Sequence, residues 1–349
     1  MDMKRNYYED VQLFTSGVVV FWFCALMVFL ALFPFLFKNY YVYVANYIAI
    51  NIIVVIGLNL LVGYTGQISL GHAGFFAIGA YGTIILITKL HFPFLLALPV
   101  AALAAALFGF LLGLPALRLE GPYLTIATLG FGLTITQVIG RLEFFGGRQG
   151  LHAPDLIIGP WHLNTDRDFY YLLITITVLL TISARNLIKT RVGRAFIAIR
   201  DADIAAETMG VNLVLYKTLS FAVSAFYAGI GGGLFAFVLR FIEPEVFTLL
   251  MSIMFLAMAV VGGLGSIMGS IAGACLLSWL DLQLRNILSI PYLGDWLETL
   301  SKSYFSITGV SNSQYIVFGL ILIAIMLFEP LGIFGIWIRT KKYWKTWPF

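Results

Sequence analysis

The stretch VYVANYIAINIIVVIGLNLLVGYTGQISLGHAGFFAIGAYGTIILI, residues 42–87, decides the fold of this 349-residue chain. Its first 21 residues carry no charge and are almost entirely apolar, and a helix needs roughly 20 such residues to cross about 30 Å of hydrocarbon. The glycine-rich segment Gly63–Phe75 interrupts the run before a second apolar run reaches Ile87. Because the apolar residues are continuous rather than alternating, the pattern predicts membrane helices and not barrel strands.

The composition of the whole chain leads to the same class. It is 60% hydrophobic and 11% charged, with a mean hydropathy of +0.95, whereas a soluble domain is roughly 45–50% apolar and about 25% charged. This excludes a cytosolic enzyme, a nucleic-acid-binding module and a disordered scaffold. We expect an all-α polytopic membrane protein, with residues 1–349 forming one transmembrane domain.

About ten membrane helices are predicted, some of them short or broken beside glycine-rich segments. The third and the eighth are the short ones. The predicted spans are Val11–Phe37, Val42–Val62, His72–Ile87, Phe92–Leu114, Tyr123–Ile139, Phe169–Ser183, Leu219–Val238, Phe247–Val261, Ile267–Leu284 and Gln314–Ile338.

The distribution of basic residues predicts the orientation of these spans. With both termini in the cytoplasm, 13 of the 21 Lys and Arg residues lie inside and 8 lie outside, as the positive-inside rule expects. The sequence therefore predicts a multi-pass protein with cytoplasmic termini. Its larger loops are a cytoplasmic segment at 184–218 and extracytoplasmic loops at 140–168 and 285–313.

Two glycine-rich segments, one in each half of the chain, are the candidates for a substrate path or its gate. Paired glycine-interrupted segments are typical of discontinuous helices near the membrane midplane. The alternative is a tight turn with close helix packing, in which His72 is an ordinary hydrogen-bonded histidine. The candidate residues are Gly63, Gly66, Gln67, Ser69, Gly71, His72 and Gly74 in the first segment, and Gly262, Gly263 and Gly265 in the second.

The sequence offers little catalytic chemistry. No lysine follows a glycine, which excludes the P-loop of an ATPase, and no metal-ligand or nucleophile motif occurs. We therefore expect no enzyme activity, no catalytic residue and no metal site. Among intramembrane carboxylates, Asp281 can pair with Arg285 and Glu329 can stay hydrated near the interface. So few ionisable groups disfavour a self-contained secondary transporter.

The segment 184–218 contains the pattern of a very short helix. Asp203 is a candidate N-cap and Gly210 a candidate stop, and the residues between them include Ile204, Ala206 and Met209. A short apolar helix is not stable alone in water. It suits a knob that enters a groove on another protein, or alternatively a loop lying on anionic headgroups.

Four stretches of the sequence resemble branched-chain amino acid ABC transporter permeases, and within that family the LivM type. They are GYTGQISLGHAGF (63–75), LEGPYLTIATLGFG (119–132), GGRQGL (146–151) and GRAFIAIRDADIAAETMG (193–210). The resemblance implies one transmembrane half of an ATP-driven importer in the inner membrane, for branched-chain (hydrophobic) amino acids. Permeases for urea or short amides look similar, so the substrate stays open.

The resemblance also implies partners and residue roles. The partners are a sister permease of the LivH type, two cytoplasmic ATPases that carry the ATP and Mg, and an extracytoplasmic substrate-binding protein; this chain itself needs no cofactor. The implied coupling residues are Arg194, Arg200, Asp203, Ala205, Ala206, Glu207 and Gly210, with Ile204 replacing the glutamate of the EAA-x-x-x-G pattern. Thr125 and Thr128 are implied path residues, and Gly146, Gly147 and Gly150 implied docking residues for the binding protein.

Overall fold

The structure is a computed structural model. It describes residues 17–115, 121–158, 161–162, 165–288 and 319–346, the last range without 321, 326, 328 and 330–331. The predicted outer loop 285–313 therefore lies largely outside the described residues, as does part of the predicted span Gln314–Ile338.

The described chain is almost entirely helical. Its helices are α1 (Gly17–Leu36), α2 (Asn39–Thr65), α3 (His72–Thr88), α4 (Phe94–Gly113), α5 (Pro122–Arg141), α6 (Asp166–Lys189), α7 (Arg191–Asp201), α8 (Asp203–Thr208), α9 (Leu213–Leu239), α10 (Leu249–Gly262), α11 (Ile267–Leu288) and α12 (Gly332–Thr346). Four two-residue strands, β1 (Leu151–His152), β2 (Ile157–Ile158), β3 (Trp161–His162) and β4 (Phe241–Ile242), form the antiparallel pairs β1–β4 and β2–β3.

The helices agree with an all-α polytopic membrane protein. Five of them, α2, α4, α5, α6 and α9, are long and apolar enough to cross a membrane. The two spans predicted to be short are short: α3 has 17 residues and α10 has 14.

The last predicted span does not continue to Ile338 as one helix. Glu329 is outside any helix, and a separate helix, α12, begins at Gly332 and reaches Thr346. Gly332 has φ +69° and donates its N–H to the carbonyl of Glu329. The prediction missed this break, although the residue before a proline is disfavoured in the helical region and Glu329 precedes Pro330.

The core of the molecule is built around α2 and α9. Helix α9 packs against α2, α3 and α4, and α2 also contacts α6, α10 and α11. Close approach depends on glycine, since a Cβ at Gly79 would overlap the carbonyl of Gly229, and one at Gly232 would overlap the carbonyl of Phe76. Small residues allow helix backbones to approach in this way inside a membrane, where packing drives association.

The bundle has two distinct ends. At the first, which we call the α8 end, Arg200 of α7 lies beside Gly63 and Gly66 at the end of α2 and beside Gly265 between α10 and α11, and α8 follows α7 directly. At the second, the strand end, β1 pairs with β4 and the Lys89 ammonium donates to the carbonyl of Phe144 at 2.6 Å. The predicted segment 184–218 occupies the α8 end and the predicted loop 140–168 the strand end.

Candidate functional site

The first glycine segment, Gly63–Phe75, comprises the end of α2, the connection 66–71 and the first turn of α3. Helix α2 ends at Gly66, which adopts φ +72° and donates its N–H to the carbonyl of Val62. His72 opens α3 and is completely buried. Its Nε2 lies 2.7 Å from the Ser224 hydroxyl and its Nδ1 lies 3.2 Å from that of Ser69. His72 is thus a hydrogen-bonded histidine of the interior.

Three other helices hold this first segment in place. The N–H of Leu70 donates to the Thr128 hydroxyl of α5 at 3.1 Å, and the N–H of Ala73 donates to the Ser252 hydroxyl of α10 at 2.9 Å. The bond from His72 to Ser224 adds α9. Because backbone donors buried in an apolar region need partners, these side chains fix the shape of the turn.

The hydroxyls of both threonines predicted to line the path make hydrogen bonds inside the protein. Thr128 is completely buried, and its hydroxyl donates to the carbonyl of Thr125 while accepting from Leu70. Thr125 is partly buried, and its hydroxyl donates to the carbonyl of Gly121 in its own helix. The structure therefore gives Thr128 a structural task in supporting the first segment.

The second glycine segment, Gly262–Gly269, is the loop between α10 and α11, and one side chain of α2 holds it. The Asn59 amide donates to the carbonyls of Ser266 and Gly263 at 2.9 and 3.4 Å and to the Ser270 hydroxyl at 2.6 Å. Its oxygen accepts from the N–H of Gly265 at 2.9 Å. Asn59 is buried, so a single amide of α2 bonds several polar groups of this segment, while Ser266 and Ser270 make further bonds within it.

Arg200 at the end of α7 joins both segments to the α8 end. Its Nη1 donates to the carbonyl of Gly63 at 2.8 Å. The same atom would lie 2.8 Å from a Cβ at Gly265, and the Arg200 side chain also contacts Gly66. The structure thus brings together residues predicted as separate coupling and gate sets.

The position of the two segments differs from the prediction in one respect. Neither interrupts a helix near the middle of the bundle, because α2 runs unbroken over its 27 residues and both segments are loops between helices. Both loops lie at the α8 end. A gate built from them therefore belongs to that end of the molecule.

Helix α8 is as short as predicted. It spans six residues, and Gly210, with φ +86°, ends it: the N–H of Gly210 donates to the carbonyl of Glu207. The predicted N-cap Asp203 is instead the first helical residue, preceded by Ala202, and its carboxylate accepts from the N–H of Ile204 at 2.8 Å. This carboxylate also lies 3.7 Å from the Lys217 ammonium, which ties α8 to α9.

The predicted coupling residues divide into two faces. Ala206 is 5% exposed and faces the interior of this chain, whereas Ile204 and Met209 are 77% and 84% exposed. Arg194, Ala205 and Glu207 are exposed as well. Two large apolar side chains, one on α8 and one on the residue that follows it, therefore point away from this chain, while Ala206 packs against it.

The glycines predicted for docking shape the strand end. Gly146, Gly147 and Gly150 all have positive φ, at +79°, +56° and +74°. A Cβ at Gly150 would overlap the carbonyl of Ile242, next to the β1–β4 pair. The structure explains these residues as turn formers, and their role in docking stays a prediction.

Comparison with known proteins gives the family. The family model "Branched-chain amino acid transport system / permease component" matches residues 40–326. The chain belongs to this permease family. No solved structure matches it.

Individual relatives of the permease carry the names LivM and LivH. It is 36% identical to the high-affinity branched-chain amino acid transport system permease protein LivM of Escherichia coli K12 and 37% identical to LivM of Salmonella typhimurium, each over 278 residues. These matches cover 72% of this chain and 65% of the length of each relative. A probable LivH permease of Methanocaldococcus jannaschii is 25% identical over 85% of this chain and 93% of its own.

Sequence reasoning missed two sets of residues in this permease. The first is Asn59, whose signal is a polar amide within an uncharged span. The second is the exposed polar face of α5 formed by Thr134, Gln137 and Arg141, whose signal is their i, i+3, i+7 spacing. Both signals were present in the sequence, but only the structure shows that Asn59 bonds the second segment and that the polar side chains of α5 are exposed.

The two intramembrane carboxylates have partners in the permease. Glu329 pairs with Arg339 of α12, with the closest oxygen and nitrogen 2.9 Å apart. Asp281 is buried and interacts with a neighbouring group, while the side chain of Arg285 lies outside the described residues. Among the described residues, no three His, Cys, Asp or Glu side chains cluster as a metal site would require.

Proposed function

We propose that the permease is one transmembrane subunit of an ATP-driven importer of branched-chain, hydrophobic amino acids. It would sit in the inner membrane with both termini in the cytoplasm and form half of the translocation path. The observation that carries this proposal is the contact of Arg200 with both glycine segments. That contact gives a motion of α7 and α8 a direct mechanical route to two loops of the bundle.

The proposal requires partners. ATP with Mg would be held by two cytoplasmic ATPases, since the chain contains no P-loop sequence. The exposed side chains of Ile204 and Met209 suit a hydrophobic groove on such an ATPase. A LivH-type sister permease would complete the path, and an extracytoplasmic binding protein would dock at the strand end near Gly146, Gly147 and Gly150.

The mechanism follows from the anchoring of α8. ATP binding would close the two ATPases and displace α8 with its exposed knob. Because Ala206 is packed inside and Lys217 holds Asp203, the displacement would pass to α7 and α9 rather than bend α8 alone. Arg200 would then shift the α2–α3 and α10–α11 loops together and change access to the path from that end.

The proposal is tested by purification and reconstitution. The tagged protein is extracted from its native membrane in mild detergent, its partners are identified by mass spectrometry, and the assembly is reconstituted in proteoliposomes with the binding protein. We expect a sister permease, two P-loop ATPases and leucine uptake that needs ATP. Uptake of urea or short amides in place of leucine would contradict the substrate, and uptake by this chain without ATP would contradict the importer.

A further inference from the structure

A cavity opens at the strand end beside α5. Its volume is about 370 Å³, which is within the roughly 300–1,000 Å³ typical of small-molecule sites. Its walls are the outer half of α5, the turn that carries Arg148, and the segment from Pro244 to Leu249. The Thr136 hydroxyl donates to the carbonyl of Phe247 at 3.3 Å and holds two of these walls together.

The face of α5 that borders this cavity is not suited to lipid. Gln137 and Arg141 line the cavity and are exposed, and Arg141 is the last residue of α5, at the strand end. Polar and charged side chains of a membrane helix normally face protein or water rather than hydrocarbon. This end of α5 is therefore suited to a protein interface or an aqueous path.

The cavity combines opposite charges with an apolar surface. Arg141 and Arg148 supply positive charge, Glu245 supplies negative charge, and Leu133, Phe247 and Leu249 supply apolar walls. All three charged side chains are exposed. Within the part of the chain that the structure describes, none of the three forms an ion pair or a side-chain hydrogen bond.

We propose that this cavity is an acceptor site for a zwitterionic amino acid with an apolar side chain. The carboxylate would pair with Arg141 and Arg148, the ammonium with Glu245, and the side chain would rest on Phe247 and Leu249. The cavity adjoins the turn at Gly147, so substrate released by a docked binding protein would enter it directly. The inference rests on the proposed function and adds to it a site on the permease itself.

The test is a leucine titration of the purified assembly without the binding protein, read as the shift in thermal unfolding temperature. We expect the half-saturating leucine concentration to rise at least about tenfold in Arg141→Gln and in Glu245→Gln, as for loss of one charge-assisted hydrogen bond. The matched controls Arg167→Gln and Glu143→Gln alter exposed charges at the same end but outside the cavity. They should titrate like the wild type.

Two leucine analogues, each lacking one of the two charged groups, test which side chain binds the carboxylate and which binds the ammonium. Leucinamide lacks the carboxylate, so its titration should change in Glu245→Gln and not in Arg141→Gln. 4-Methylvalerate lacks the ammonium and should behave in the opposite way. The proposal is overturned if leucine gives no shift in the wild type, or if cavity and control variants titrate alike. ATP-driven leucine uptake by the same wild-type assembly separates that failure from failure of the importer itself.

Discussion

The two glycine segments differ in how they are held, although Arg200 contacts both. The first depends on several side chains from α5, α9 and α10, each contributing one hydrogen bond to the turn. The second depends on the Asn59 amide, which makes four hydrogen bonds with it or with the start of α11. The support of the first segment is therefore spread over three helices, whereas in the second segment Asn59 alone makes most of the hydrogen bonds to another helix, beside the local bonds of Ser266 and Ser270.

The largest effect is expected for Asn59→Leu, because it removes the side-chain partner of the Gly265 N–H and of the Gly263 carbonyl in the second segment. Each such group costs about 1–3 kcal/mol, so we expect the free energy of unfolding to fall by about 3–5 kcal/mol. Denaturant titration in detergent measures it. Asn51→Leu is the matched control, since Asn51 is a buried amide of the same helix that donates only to the Ser278 hydroxyl, at 2.8 Å. If both variants lowered the free energy of unfolding equally, the special dependence of the second segment on Asn59 would be contradicted.

A smaller decrease in the free energy of unfolding is expected for His72→Leu in the first segment. The substitution leaves the Ser224 and Ser69 hydroxyls without the imidazole, but the bonds from Leu70 and Ala73 remain. We expect a loss of about 2 kcal/mol. A double-mutant cycle with Ser224→Ala should give a coupling energy of about 1 kcal/mol. If His72→Leu lowered the free energy of unfolding more than Asn59→Leu does, the first segment and not the second would depend more on one side chain.

Thr128→Val tests a single hydrogen bond of the first segment, the one from the N–H of Leu70 to the Thr128 hydroxyl. The change keeps the shape of the side chain and removes the acceptor for the N–H of Leu70, so a loss of about 1–2 kcal/mol is expected. Thr125→Val is the control, because the Thr125 hydroxyl bonds only within its own helix, to the carbonyl of Gly121. Denaturant curves that coincide for the two variants would mean that Thr128 does not support the turn.

The smallest effect on stability is expected outside both segments, at Ile204→Ala. This side chain is exposed, so the free energy of unfolding should change by less than about 0.5 kcal/mol. Association with the ATPases, measured by co-purification, should nevertheless weaken. Val214→Ala is the control, since Val214 is an exposed apolar residue of α9 outside the implied coupling set, and it should leave association unchanged. Loss of stability without loss of association would contradict the role of Ile204 as an outward knob.

The sequence predicts α2, α8 and α9 because each depends on local signals, but it does not predict α7, which lies within the predicted loop 184–218, or the extension of α6 to Lys189. The length of an uncharged run locates α2 and α9, and Gly210 alone predicts the end of α8. Local signals do not predict which parts of the molecule the glycine segments contact. Arg200 is separated from Gly63 by 137 residues, and no local pattern indicates that contact. The same holds for Asn59, whose partners in the second segment are more than 200 residues away.

The most direct test of the account is Arg200→Gln in the reconstituted importer, with ATP hydrolysis and leucine uptake measured on the same vesicles. Arg191→Gln is the control, as Arg191 is exposed on the same helix, is not among the implied coupling residues and, in the described residues, its side chain makes no bond to either glycine segment. The account predicts near-normal ATP hydrolysis with leucine uptake per ATP reduced at least about fivefold for Arg200→Gln only. Unchanged uptake per ATP in Arg200→Gln would contradict the claim that Arg200 links α8 to both glycine segments.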